Sequence, residues 1–90
     1  MIHVKDPDAV LDFTVDWSAT LAEGETLVSA QWLIAPEGGL QLVAEGGEGA
    51  VRSATVGGGR TGEVVRLTSR VVTGLGRSDD RSFYIRIVEQ

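Results

Sequence analysis

Apolar and polar residues alternate with a period of two through most of this 90-residue chain, and no stretch repeats with a helical period. A period of two places successive side chains on opposite faces of an extended strand, so each stretch has one face for a core and one for solvent. The alternation is strongest at 9–19, 26–34, 63–73 and 83–87, and shorter or weaker at 40–44 and 51–56. These six strands predict an all-β protein, and residues 2–4 add a seventh strand at an edge.

Clusters of glycine separate the apolar stretches, and we interpret them as turns. The segment 57–62, Gly-Gly-Gly-Arg-Thr-Gly, superficially resembles a phosphate-binding loop but lacks the Lys-Ser/Thr ending and a following helix, so a hairpin connection is the better interpretation. Short strands joined by glycine or proline turns predict a single immunoglobulin-like antiparallel β-sandwich of about 6–7 strands, spanning residues 1–90.

The inward faces of the predicted strands define the expected core. Trp32 lies inward on the second long strand, where an indole fills the centre of such a sandwich. Trp17 has the same core interpretation, but it lies near the end of its strand, where an indole is often half exposed, so contact with a partner subunit is the alternative. The predicted core consists of Phe13, Val15, Val28, Trp32, Val65, Leu67, Val71, Phe83, Ile85 and Ile87.

Composition excludes several classes of protein. The chain has 8 basic and 13 acidic residues, a net charge of −5 that argues against nucleic-acid binding. It has no cysteine and one histidine, so neither a disulfide nor a cysteine or histidine metal cluster is expected. No apolar run approaches the roughly 20 residues of a membrane span and no signal peptide is recognisable, so we expect a soluble domain made in the cytoplasm, with no membrane partner.

Charge is unevenly distributed along the chain. Residues 1–45 carry one basic residue against eight acidic ones, whereas residues 46–90 carry seven arginines against five acidic residues. Separate faces for the two halves would give a negative and a mildly positive side, suited to stacking identical or complementary subunits. An antiparallel fold interleaves the halves of a sequence, however, and the favoured expectation is that the charges mix.

The most polar cluster is formed by Arg77, Asp79, Asp80 and Arg81. We predict a tight turn held by Asx-type hydrogen bonds and charge-assisted pairs, with a subunit contact as the second interpretation. The arginines compete for the carboxylates, which disfavours calcium. Asp12 and Asp16 are too far apart along one strand to act as an acid-base pair, and no catalytic triad is assembled. The sequence therefore predicts neither an enzyme nor a cofactor.

Three segments together resemble the fiber-tail adaptor family of tailed bacteriophages, short immunoglobulin-like virion proteins. The first segment runs from Lys5-Asp6-Pro7-Asp8 to Asp16-Trp17-Ser18, and the second from Gly24-Glu25-Thr26 to Trp32. The third comprises 70–73, the run from Gly76 to Phe83, and an alternating Ile85-Arg86-Ile87 ending. The resemblance spans nearly the whole chain.

The resemblance implies a non-enzymatic virion building block, present in several copies, that docks on tail or connector proteins and helps attach fibers. Its implied partners are other virion proteins of the tail, connector, fiber or capsid, and its implied location is the virion, assembled in the host cytoplasm. Two alternatives stay open: a head-decoration or head-to-tail connector protein, and a carbohydrate- or cell-surface-binding immunoglobulin-like module. The last should present exposed aromatic side chains, for which Trp17 and Tyr84 are the candidates.

Overall fold

Strands make up most of the computed structural model, which describes residues 2–89. A short 3-10 helix at Ser18–Thr20 follows the second strand. The strands are β1 (Ile2–Lys5), β2 (Leu11–Asp16), β3 (Leu27–Ala35), β4 (Leu40–Glu48), β5 (Val51–Gly58), β6 (Val64–Thr73) and β7 (Ser78–Ile87).

The strands form two sheets that face each other. One sheet has the order β1-β7-β6-β3 and the other the order β2-β5-β4. If β2 to β7 are equated with strands B to G of an immunoglobulin domain, these orders reproduce the B-E-D and C-F-G pairings of the constant type. The first strand differs from the rest, because β1 pairs in parallel with β7 instead of extending the other sheet. The predicted seven-stranded all-β sandwich is confirmed.

The core lies between the two sheets and is densest against β6. Alternate β6 residues from Val65 to Val71 are almost inaccessible, because the other sheet covers that face. Phe83 is partly buried and packs against this core. The buried apolar residues are Phe13, Val15, Trp17, Trp32, Leu40, Ala54, Val56, Val65, Leu67, Val71, Ile85 and Ile87.

The assignment of Val28 to the core is wrong, since this side chain is 65% exposed. Leu27 pairs with Thr73 and Ser29 with Val72, so one extra residue of β3 bulges out between two consecutive residues of β6. A bulge of this kind shifts the alternation by one position. Leu27 and Ala30 therefore pack against the core, and Val28 points to solvent.

The core interpretation of Trp17 is confirmed and the alternative of a half-exposed subunit contact is wrong, because its exposure is only 1%. β2 ends at Asp16, and the following 3-10 turn bends the chain across the end of the sandwich while the indole stays on the inward side. The indole Nε1 donates to Ser69 Oγ at 3.3 Å. Arg81 covers the ring from outside, with its guanidinium carbon 5.3 Å from the ring centroid.

Two glycine clusters predicted to be turns instead continue strands. β4 runs through Gly46 and Gly47 to Glu48, and the chain turns only at Gly49. Gly47 has φ +119°, and a Cβ there would lie 2.0 Å from the carbonyl oxygen of Val51, so only glycine fits this position. The segment 57–62 completes β5 and then crosses to the other sheet, so the predicted hairpin connection is wrong.

We expect Trp32→Ala to lower the free energy of unfolding by about 3–5 kcal/mol, because it empties the space of a large buried side chain. Trp32 is 8% exposed and stacks on Phe83 with ring centroids 6.4 Å apart. Val28→Ala is the control on the same strand, with an expected change within about 0.5 kcal/mol. Urea denaturation measures both, and equal stabilities for the two variants would contradict the core assignment.

Candidate docking site

One end of the sandwich presents apolar side chains on a tightly bonded turn. We call it the hairpin end and define it as residues 73–78, which join β6 to β7, together with Thr20, Glu25 and Val28 beneath them. Leu75, at the tip, is 68% exposed. Val28 lies beside Gly74, since a Cβ atom added at this glycine would be 3.6 Å from Val28 Cγ1. The hairpin end therefore carries the two most exposed of the large hydrophobic side chains in residues 2–89.

An ion pair between the buried Glu25 carboxylate and the partly exposed Arg77 anchors the hairpin end to the segment before β3. The Glu25 side chain has no accessible surface, and Arg77 Nε donates to its Oε2 at 2.9 Å. Arg77 Nη2 donates to the other carboxylate oxygen and to the carbonyl oxygen of Thr20. The backbone N–H of Ala22 donates to Glu25 Oε1 at 2.8 Å. The buried carboxylate is thus paired in the two-pronged geometry that stabilises such a charge.

Thr73 fixes the shape of the turn itself. Its hydroxyl accepts hydrogen bonds from the backbone N–H groups of Leu75 and Arg77, both at 3.3 Å. Its own N–H donates to the carbonyl of Arg77 at 2.7 Å, and the N–H of Gly74 donates to the carbonyl of Thr26 at 2.9 Å. The backbone around Leu75 is therefore held by hydrogen bonds on both sides, and the turn holds the leucine out from the sandwich.

The ion pair also fixes the protonation of Glu25. The hydrogen bonds from Arg77, then those from Thr73 and Ala22, lower the pKa of Glu25 from 4.5 to about 2. The same carboxylate raises the pKa of Arg77. Both groups therefore stay charged from neutral pH to well below the ordinary pKa of a glutamate.

The predicted polar cluster is not one site. Arg77 belongs to the hairpin end, whereas Asp79, Asp80 and Arg81 lie in β7 and alternate between its two faces. Asp80 accepts hydrogen bonds from Arg70 at 2.9 and 3.1 Å on the outer face, while Arg81 lies over Trp17. The predicted turn over these residues is wrong, because the chain has already turned at residues 74–76 and is extended from Ser78 onward.

Local sequence patterns miss the residues that build this site. Glu25 and Arg77 are 52 positions apart, so only the packing of the loop before β3 against the β6–β7 turn brings them together. Leu75 is recognisable in the sequence, because it is a large apolar residue between two glycines in a predicted turn. Such a residue has no core to join and is a candidate for contact with another molecule.

A small cleft lies beside the hairpin end. A cleft of about 100 Å³ lies next to Arg77 and is lined by Thr20, Leu21, Val71, Thr73, Ser78 and Asp79.

Within residues 2–89, no three His, Cys, Asp or Glu side chains are grouped in a way that could hold a metal ion. That part of the chain also has no helix of the length and apolarity needed to cross a bilayer.

Glu25→Gln should reduce the acid sensitivity of the fold. A carboxylate whose pKa is lower in the folded than in the unfolded state stabilises the fold above its unfolded pKa, and this contribution is lost as the pH falls through the folded pKa. The wild type should therefore lose this contribution between a pH of about 4.5 and about 2. The variant should melt at a lower temperature at neutral pH, and the difference should shrink toward acidic pH.

Thermal unfolding followed by circular dichroism across this pH range provides the measurement. Glu23→Gln, at an exposed glutamate of the same loop, is the control and should follow the wild type. A constant difference between wild type and Glu25→Gln at all pH values would refute the role of the charge.

Comparison with known proteins finds one family whose model covers most of the chain. The family model described as "Podophage GP4 fiber-tail adaptor protein gp77" matches residues 5–86. The match starts at the last residue of β1 and ends one residue before the end of β7, so it includes both sheets and the hairpin end. No match to the chain was found among curated proteins. A match over this much of the chain shows that it belongs to the podophage GP4 fiber-tail adaptor family.

Proposed function

We propose that this protein is a non-enzymatic adaptor of the podophage virion that docks on a tail or connector protein through its hairpin end and helps attach fibers. The observation that carries the proposal is an exposed Leu75 held on a rigid turn in a member of the fiber-tail adaptor family. The unit that docks is the sandwich formed by the whole chain. It is made and assembled in the host cytoplasm and occurs in several copies in each particle.

The hairpin end has the composition of a small interface. Leu75 and Val28 supply an apolar centre, and Asp79, which lines the cleft next to Arg77, supplies a charged group near it. Arg77 keeps 57% of its side-chain surface accessible although it is bonded to Glu25. Because the Thr73 and Glu25 hydrogen bonds already order this turn, little conformational entropy would be lost when a partner binds.

The alternatives differ in how they use the same surface. A carbohydrate-binding module would need exposed aromatic side chains, and of the two candidates Trp17 is buried and only Tyr84 is exposed. A head-decoration or head-to-tail connector protein would also dock through a contact with another protein. Its location in the particle would distinguish it from a fiber-tail adaptor. Gold labelling of the chain in electron micrographs should place it at the tail, and label on the capsid would favour the decoration role.

Leu75→Asp should abolish docking while leaving the fold intact, because it puts a charge into the apolar centre of the contact without touching the core. In phage that carry the variant, we expect at least about a tenfold loss of fibers per particle, the cost of one lost hot spot in an interface. Quantitative mass spectrometry of purified particles gives the ratio of fiber to capsid protein.

Thr61→Asp introduces the same charge at an exposed position in the connection between β5 and β6 and should leave the fiber content unchanged. Melting curves of both purified variants verify that they fold. Folded Leu75→Asp chains in particles with a full set of fibers would show that the hairpin end is not the contact.

A further inference from the structure

Charge segregates between the two outer faces of the sandwich even though the halves of the sequence interleave in it. Within residues 2–89, the outer face of the four-stranded sheet, the basic face, carries Arg66, Arg70 and Arg86 against the single acid Asp80. The outer face of the three-stranded sheet, the acidic face, carries three acids at the outward positions of its strands and no lysine or arginine there. These acids are Asp12, Asp16 and Glu48.

Most of these charges are not neutralised within residues 2–89. On the basic face Arg70 pairs with Asp80, whose pKa the nearby charge of Arg66 also lowers, but neither Arg66 nor Arg86 forms an ion pair within residues 2–89. On the acidic face Asp12 accepts a hydrogen bond from the Thr55 hydroxyl and Asp16 one from the backbone N–H of Ser18, so neither meets a cation. Each face thus presents charge that a complementary surface could pair.

Exposed apolar side chains accompany the charges on the basic face. The strand register aligns Ile2 with Tyr84 and Arg66, and the next outward row consists of Val4, Arg86 and Val64. Ile2, Val4, Val64 and Tyr84 are all exposed. Aromatic and apolar groups interleaved with arginine are the composition that is enriched at protein interfaces.

The acidic face also carries exposed apolar side chains, at both ends of β5. Val10 and Val43 lie on either side of Gly57. A Cβ atom added at this glycine would be 3.6 Å from Val10 Cγ2 and 3.3 Å from Val43 Cγ2. Both valines are exposed, as is Val51, which pairs with Asp16. These valines add the apolar area that a purely charged surface would lack.

We propose that copies of this chain stack front to back, with the basic face of one copy on the acidic face of the next. A contact between two basic faces would bring Arg66 and Arg86 against the same residues of a second copy, and like charges oppose such a two-fold arrangement. The front-to-back contact is heterologous, because it joins two different surfaces of the chain. Its repetition gives a closed ring or an open filament of copies. This stacking adds a contact between copies to the proposed function, and its place in the particle rests on that function. The residues of both faces lie outside the hairpin end, so that end stays free to bind another protein.

The dimensions of the sandwich allow such a contact. Its principal extents are 45 × 22 × 19 Å. A sheet face of this length and width has room for the about 800 Å² that each partner contributes to a standard interface. The core stays intact, because the residues involved already point away from it.

The test uses sedimentation velocity of the purified chain from about 10 μM to about 1 mM, where dissociation constants of weak interfaces fall. At about 0.02 M salt the wild type should associate as concentration rises, and at about 0.5 M salt the association should weaken at least tenfold, because salt screens the unpaired charges. A wild type that stays monomeric over this range at low salt would overturn the proposal.

Charge reversal adds the decisive comparison. Arg66→Glu with Arg86→Glu makes both faces negative, and Asp12→Lys with Glu48→Lys makes the acidic face basic, so neither double variant should associate alone. An equimolar mixture pairs opposite charges at every contact and should recover association. Association of either variant alone at the wild-type level, or no recovery in the mixture, would contradict the front-to-back contact.

Glu23→Lys with Glu37→Lys is the matched control. It produces the same net charge as the acidic-face variant but changes exposed residues in loops outside both faces, so it should associate like the wild type. Loss of association in this control would show that net charge, and not the acidic face, is responsible. Circular dichroism establishes that every variant is folded.

The two proposals fail separately. A chain that does not associate in solution while Leu75→Asp removes fibers from particles would refute stacking and leave the adaptor role standing. Stacking that follows the charge pattern in a chain whose Leu75→Asp particles keep their fibers would refute docking through the hairpin end.

Discussion

The inner face of β6 must be covered along its whole length, and the rest of the structure is arranged around that requirement. β6 is a central strand, bonded to β3 on one side and β7 on the other, and its inward residues from Val65 to Val71 are almost completely inaccessible. Burying a row of such side chains is the main source of stability in a domain this small. The second sheet and Trp17 supply the cover, and Ser69 gives the indole N–H its partner within the apolar layer.

Two polar contacts secure the opposite ends of this core. At one end the buried Lys5 donates to the carbonyl oxygens of Asp6 and Gly58, which ties β1 to the end of β5 in the other sheet. Burial lowers the pKa of this lysine. At the other end Arg77 and the buried Glu25 tie the β6–β7 turn to the loop before β3. Because both ends are fixed by buried charges with satisfied hydrogen bonds, the surfaces they support are rigid.

Sequence patterns predicted the strands well wherever one face of a strand is buried. Val65, Leu67 and Val71 were placed inward by the period of two, and all three are buried. The pattern failed where a local irregularity shifted the period, as at Val28, where the bulge in β3 adds one residue. It also failed for the strand through Gly46 and Gly47. A glycine pair considered by itself predicts a turn, whereas in this structure Gly47 is needed because the backbone of β5 approaches it closely. The candidate site depends on a pair 52 residues apart, which no local pattern contains.

The sequence alone determined the all-β class, the number of strands and the resemblance to the fiber-tail adaptor family, because alternation and turn chemistry are local properties and the motifs lie along the chain. Only the tertiary structure decided which surfaces are available. Packing of the loop before β3 against the β6–β7 turn buried Glu25 and exposed Leu75. The pairing of distant strands sorted Arg66 and Arg86 onto one outer face and Asp12, Asp16 and Glu48 onto the other. From the sequence we expected the charges of the two unlike halves to mix, because each sheet draws its strands from both halves. That expectation is wrong for the outer faces, since the strand register places these arginines and these acids on different sheets.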